Sequence, residues 1–242
     1  MRRTRIFVDD ALKSGDHITL SAVSSHYLTR VLRLGVGDKC TLLNDSGFEF
    51  SAQILIPKHS GAVLEIGASD AVNAESNLRI TLEQALLRSE KMSLVLQKSC
   101  ELGVAAVHPI LSERTEVRLS DEREEKRLRH WREVLISAIE QCGRARLPGL
   151  AAPRKLHELK PCAAGEIGLL LDPGATLRLR DLRPESTLFR VAVGPEGGFT
   201  EAELKWLQRL GYRRLSMGPR VLRTETAGPA VIAALQALYG DA

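Results

Sequence analysis

The chain has 242 residues, of which 44% are hydrophobic, 26% charged and 4% aromatic, with a formal net charge of +4. These proportions describe a globular protein with a sizeable core in one large or two small domains, and they exclude low-complexity and collagen-like chains. No stretch approaches the apolar length of a membrane span, the basic start Met1–Arg2–Arg3–Thr4–Arg5 is not followed by a signal-peptide core, and the four cysteines are scattered without a C-x-x-C pair.

No metal site and no membrane partner are therefore expected, and the expected compartment is the cytoplasm. The mild positive charge permits an RNA partner without requiring one.

In chain order, residues 5–8 read as a short strand. Residues 21–34 read as a helix with Val23, Tyr27, Leu28, Val31 and Leu32 on one face and Gly35 as its stop. β-like runs follow at 39–43, 48–56 and 62–67, separated by Asp45–Ser46–Gly47 and by Pro57–Lys58–His59–Ser60–Gly61. Short strands at this spacing suggest a small barrel. The composition turns polar and aperiodic at 70–77, which places a domain boundary there and gives domains 1–72 and 73–242.

From Leu78 the pattern is strand–helix alternation. Strands read at 78–84, 104–110, 167–171, 188–193 and 212–217, and helices at 90–102, 121–141, 200–210 and 224–238. Such alternation means an α/β fold with a mainly parallel sheet covered by helices. The helix from Asp121 carries an apolar stripe of Trp131, Val134, Leu135, Ala138 and Ile139 on an otherwise charged surface.

Two glycine loops stand out in that alternation. Gly194–Pro195–Glu196–Gly197–Gly198 follows an apolar strand and precedes Thr200, a plausible helix cap. Met217–Gly218–Pro219–Arg220 follows another strand and leads through Val221–Leu222–Arg223 into a helix. Neither is a dinucleotide fingerprint or a phosphate loop, because G-x-G-x-x-G and Gly-Lys-Ser/Thr are both missing. One such loop reads as a plain turn. Two loops, each after a strand and before a helix, point to one small-molecule pocket at the carboxyl ends of a parallel sheet. Glu196 or Glu225, with Arg220 and Arg223, sit where a ligand would be held.

GPEGGFTEAEL at 194–204 and LSMGPRVLRTETA at 215–227 resemble the two C-terminal signatures of the 16S rRNA (uracil-N3) methyltransferase family, RsmE. Arg88–Ser89–Glu90–Lys91, Gln97–Lys98–Ser99–Cys100–Glu101–Leu102–Gly103, Ser112–Glu113–Arg114 and Glu140–Gln141–Cys142–Gly143–Arg144 are similar to that family in the same order. The resemblance implies a SPOUT-class enzyme using S-adenosyl-L-methionine. It implies a trefoil-knotted C-terminal domain, a small N-terminal PUA-like β-barrel that binds RNA, and a homodimer. Its substrate would be 16S rRNA, within the small ribosomal subunit.

The same resemblance assigns cofactor binding to Leu170, Leu171 and Asp172, to Gly194, Pro195, Glu196, Gly197 and Gly198, and to Leu215, Met217, Gly218, Leu222, Arg223, Thr224 and Thr226. Leu215 and Leu222 would sandwich the adenine. Arg223 and Glu225 are the expected catalytic pair: a guanidinium beside the uracil carbonyls stabilises the charge left by the N3 proton, and Glu225 balances the sulfonium or takes that proton. Arg88, Lys91, Arg114 and Arg144 are expected around the substrate entrance. Arg3, Arg5, Arg30 and Arg33 are expected on RNA phosphates, with Arg30 and Arg33 three apart on one helix face. The low aromatic share disfavours a base-stacking platform.

Two alternatives stay open. One is a SPOUT enzyme acting on another base or on ribose, although relatives that methylate ribose carry an early Asn…Arg motif that the segment 97–103 lacks. The other is a non-catalytic RNA-binding protein that kept the fold.

Overall fold

The computed structural model describes residues 4–117 and 121–242. They form two compact units. The first runs up to Glu75 and takes back Ile139–Leu147; the second comprises Ser76–Ala138 and Pro148–Ala242.

The first unit is a curled five-stranded sheet in the order β1-β3-β4-β5-β2. Its strands are β1 (Arg5–Phe7), β2 (His17–Thr19), β3 (Lys39–Leu43), β4 (Phe48–Ile56) and β5 (Val63–Ala71). β1 runs parallel to β3, and the other pairings are antiparallel. Along β4 the buried residues Phe50, Ala52 and Ile54 alternate with more exposed ones, the period-2 pattern of a sheet with one face on a core. Leu28, Leu42, Ile54 and Leu64 fill that core. β2 is not evident in the sequence reading, because three residues are too few to show alternation.

The helix expected over 21–34 is corrected. α1 (Ala22–His26) continues as a π-helical turn, Tyr27–Val31, and ends there. Its anchor is polar. The Ser25 hydroxyl, fully buried, accepts the Ala62 N–H at 2.9 Å and the Gly61 N–H at 3.1 Å, fastening the helix beside β5. The face turned inward runs through Ser25, Leu28 and the half-buried Leu32, so it is offset from the stripe of Val23, Tyr27 and Val31. Leu28 is buried, whereas Val23, Tyr27 and Val31 are 81%, 41% and 58% exposed. Arg33 lies beyond the helix at a φ of 56°, so it does not share a helix face with Arg30.

The second unit is a parallel sheet in the order β12-β10-β11-β6-β7-β8, with β9 also on β7. Its strands are β6 (Arg79–Ala85), β7 (Ala106–Leu111), β8 (Gly149–Leu150), β9 (Arg154–Lys155), β10 (Ile167–Leu171), β11 (Leu188–Val193) and β12 (Tyr212–Leu215). The helices are α2 (Ser89–Glu101), α3 (Asp121–Cys142), α4 (Glu201–Arg209) and α5 (Thr224–Tyr239). Continuous apolar runs such as Gly168–Leu170 and Val191–Val193 are the mark of parallel strands covered on both faces.

α2 and α5 pack together, and α4 lies over a core of Leu170, Ala192, Leu204, Leu207 and Tyr212. Thr200 caps α4 reciprocally with Glu203, as its position before the helix suggests. The connection after β10 touches the chain end twice. Ser216 N–H bonds Leu177 O at 2.8 Å, and the Tyr239 hydroxyl donates to Leu179 O and Leu182 O. These bonds tie the connection after β10 to the end of β12 and to α5, and the architecture is the expected mainly parallel sheet covered by helices, preceded by a small curled sheet.

One face of the sheet buries a charged network. Glu83, fully buried on β6, accepts the Tyr212 hydroxyl and lies 3.5 Å from Arg154 and 3.9 Å from Arg190. Arg190 also pairs with Glu166 at 2.8 Å, and Arg154 donates to His108 Nδ1 at 2.9 Å. Burial pushes the Glu83 carboxyl up, with Tyr212 and both arginines pulling against it. Burial and the two arginines hold His108 below the usual imidazole range.

Candidate active site

Parallel pairing places the carboxyl ends of β10, β11 and β12 on one edge of the sheet, at Leu171, Val193 and Leu215. A cavity of about 560 Å³ opens there, within the range of small-molecule sites. Its floor is apolar, from Leu171, Val193, Leu215 and Phe199, and its walls are the two glycine loops. In the first loop the Gly198 N–H closes a turn on Pro195 O at 2.9 Å. Gly198 has a φ of 66° and Gly218 a φ of 109°, and an added Cβ would meet nothing at either, so backbone conformation rather than crowding requires glycine there. On the second loop Val221 is 78% exposed at the cavity rim, an apolar surface that a ligand would cover.

Charge reaches the cavity from α2, from both glycine loops, from α5 and from the turn after β10. Lys91, in the first turn of α2, lies 3.0 Å from Glu196 of the glycine loop and 3.4 Å from Glu225 of α5. The hydrogen bond to Glu196 holds the Lys91 ammonium above its ordinary range. Burial would raise the Glu196 carboxyl, but Lys91 outweighs it and holds it below the ordinary carboxylate range. Glu225 Oε2 is buried and, although within ion-pair distance of Lys91, makes no hydrogen bond. Arg223 occupies the N-cap of α5 without its side chain bonding the helix end, and it stands exposed on the cavity lining beside Arg220. Asp172 accepts the Gly174 N–H at 3.0 Å and is ion-paired to Arg214, which fixes the turn after β10.

Of the expected cofactor residues, the cavity gathers Leu171, Asp172, Gly194, Pro195, Glu196, Gly197, Gly198, Leu215, Met217, Gly218, Leu222, Arg223 and Thr224, together with Glu225. Leu170 and Thr226 are not among the lining residues. Leu170 points into the core under α4, because neighbours on a strand face opposite sides, and Thr226 is exposed on another face of α5.

Among the expected RNA contacts, two are corrected. Arg5 is buried against Glu49 at 2.8 Å and donates to Arg144 O, and Arg144 is buried against Glu75 at 2.6 Å. Arginines already paired inside the first unit do not present themselves to a phosphate. Arg114 donates to Gly197 O at 2.7 Å and so braces the glycine loop. Arg30, Arg33 and Arg88 are exposed, Arg88 in a surface pair with Glu116. Arg3 lies outside the described residues. Lys91, expected near RNA, belongs to the cavity. The rule that ligands sit at strand ends could have found it, since it follows β6 by one short loop. Pro173, Phe199, Val221 and Ala227 complete the lining without any signal of residue type.

The family model for an RNA methyltransferase domain matches residues 74–236, and that for an RNA methyltransferase PUA domain matches residues 24–66. A curated protein of Buchnera aphidicola (subspecies Schizaphis graminum), the ribosomal RNA small subunit methyltransferase E, is 34% identical over 99% of this chain and 98% of its own length. The chain belongs to the ribosomal RNA small subunit methyltransferase E family. Within that family, the enzyme from Neisseria gonorrhoeae, solved bound to S-adenosyl methionine, is 35% identical, with a TM-score of 0.91 over 99% of each chain. A Legionella pneumophila structure, described as a methyltransferase in complex with the same cofactor, is 36% identical, with a TM-score of 0.94 over the whole of both chains.

Proposed function

We propose that this protein uses S-adenosyl-L-methionine to methylate N3 of a specific uridine in 16S rRNA of the small ribosomal subunit. The observation that carries the reading is the cavity between the two glycine loops, with the Glu225 carboxylate on its lining 3.4 Å from Lys91. The lining fits the cofactor. Leu215 and Leu222 offer apolar surface to an adenine, and Glu196 and Glu225, which share the one Lys91 ammonium, leave negative charge suited to a cationic sulfonium. When bound, the cofactor supplies an electrophilic methyl group. The chain's own residues do the rest by position and electrostatics. Arg223, unspent at the head of α5, faces the uracil carbonyls and stabilises the negative charge that appears as N3 loses its proton. Glu225 balances the sulfonium. Lys91 steadies Glu225 and Glu196 together, so the counter-charge is fixed before the substrate arrives.

Arg30, Arg33 and Arg88, exposed, are the phosphate contacts retained in this reading. A homodimer belongs to it as well. α5 leaves Leu238 51% exposed and its Ala233 and Ala234 half-buried, apolar surface suited to an isologous contact.

The test is mass spectrometry of small-subunit rRNA from cells lacking this protein. Loss of one N3-methyluridine, restored by the wild-type gene and not by Arg223→Ala, is the expected result. An unchanged nucleoside profile would overturn the reading.

A further inference from the structure

We infer that Gln84 and Thr224 form a buried latch fixing the glycine loop against the head of α5, which makes Gln84 a positioning residue for the reaction. The inference rests on the reading of the cavity as a cofactor site.

Gln84 is the penultimate residue of β6 and is fully buried. Its Nε2 donates to Thr224 Oγ1 at 3.2 Å and to Ala85 O at 3.2 Å. Thr224, first residue of α5, donates its one hydroxyl proton to Gly194 O at 2.6 Å. The polarity runs one way. The hydroxyl proton is spent on Gly194, so Thr224 can only accept from Gln84. The neighbouring Ala85 carbonyl likewise demands an N–H from the amide. Flipping the amide would set two oxygens against each other at both contacts.

That polarity has a cost. The other end of the amide, Gln84 Oε1, is buried with no hydrogen-bond partner. It is pressed towards α5, where a Cβ added to Gly228 would come within 3.0 Å of it and within 3.2 Å of Leu82 Cδ2. A buried acceptor left unsatisfied is destabilising. A leucine at 84 would fill similar space and remove that penalty while giving up the N–H donated to Ala85 O, so packing alone does not call for an amide here.

What the amide achieves is a connection between β6, the loop after β11 and the first turn of α5. The Gly194 carbonyl is drawn to the helix head, and the Pro195–Gly198 turn continues from that fixed point into the cavity lining. Thr224 stands in sequence between Arg223 and Glu225. Slack in the latch would therefore displace both chemical groups relative to the cofactor loop, and displacements of this kind are costly to an in-line transfer.

The test uses the full chain and S-adenosylhomocysteine as probe. Isothermal titration is paired with thermal unfolding and with kcat and KM for methyl transfer, on the wild type, Thr224→Ser, Thr224→Val and Gln84→Leu. Thr224→Ser keeps the hydroxyl and should lose less affinity than Thr224→Val. Thr224→Val keeps the shape, loses the hydroxyl and should bind about tenfold more weakly, the scale of one net hydrogen bond. Gln84→Leu removes one orphaned acceptor but also the N–H given to Ala85 O, so it should melt near the wild-type temperature yet bind more weakly and turn over more slowly, a split that a scaffold residue would not give. In the double variant Gln84→Leu/Thr224→Val the two losses should add to less than their sum, because both act through one contact. Wild-type affinity in Thr224→Val, or a lower melting temperature with intact affinity in Gln84→Leu, overturns the latch. If the wild type itself took up no probe, the cofactor reading would fall and the latch with it.

Discussion

Arg223 and Glu225 lie two residues apart, and their positions at the head of α5 give them different tasks. Arg223, as the N-cap, precedes the helix and stays at the rim; Glu225, in the first turn, is drawn into the cavity beside Lys91. Removing the guanidinium by Arg223→Ala should lower kcat by a factor corresponding to about 2.7–4 kcal/mol, the scale for one preorganised donor, while titration with S-adenosylhomocysteine shows affinity preserved. Lost affinity with normal turnover at saturation would assign Arg223 to the cofactor instead. Glu225→Gln removes charge and keeps shape. It should weaken binding of the cationic cofactor by about 1–4 kcal/mol, the range between aqueous and surface screening, and leave the neutral product S-adenosylhomocysteine nearly unaffected. Equal losses for both ligands would show that Glu225 acts through shape and not charge. Much of this was legible from residue type, since a glycine loop, a carboxylate and an arginine announce a ligand. Gln84 was not, because a single amide within an apolar strand looks like any other until its partners on β11 and α5 are known.

At the level of elements, the sequence pattern serves the second unit better than the first. Apolar runs between glycine loops read directly as parallel strands, and β10 and β11 lie where the pattern puts them. α1 defeats the same reasoning. It ends in a π turn, its anchor is a serine that does not read as core, and the valines that looked like a core face are exposed. The charged network across the second sheet was also hidden, because Glu83, His108, Arg154 and Arg190 come from four different strands. It makes stability depend on pH. His108 is held below its ordinary value in the folded state, so its contribution is present above the unfolded value of 6.5 and is lost as pH falls through it towards the folded value. Arg154 and Arg190 oppose the extra proton, and Glu166 partly favours it. Urea unfolding should therefore show stability falling as pH drops through about 6.5, with a shallower fall in His108→Gln. Glu83, raised by burial, works in the opposite direction, but it is common to both proteins and drops out of the comparison. Parallel curves for the two proteins would mean that His108 takes up its proton freely.

At the scale of the whole chain, the return of Ile139–Leu147 to the first unit could not be read from the sequence. Ile139 continues the apolar stripe of α3 without a break, and the ion pair of Arg144 with Glu75 joins residues far apart in the chain. The bonds that Ser216 and Tyr239 make to the connection after β10 are equally invisible to periodicity, which describes strands and helices but not the path between them. Strand order and the conjunction of the loops after β10, β11 and β12 nevertheless converge on one cavity, and everything proposed for this protein depends on a methyl group leaving that cavity for a uridine. The most direct measurement is made on the purified chain, incubated with isotopically labelled S-adenosyl-L-methionine and small ribosomal subunits, followed by nucleoside mass spectrometry of the 16S rRNA. Label confined to N3-methyluridine, and abolished by Arg223→Ala, is the expected result. Label on ribose or on another base, or no label despite measured cofactor binding, would contradict it.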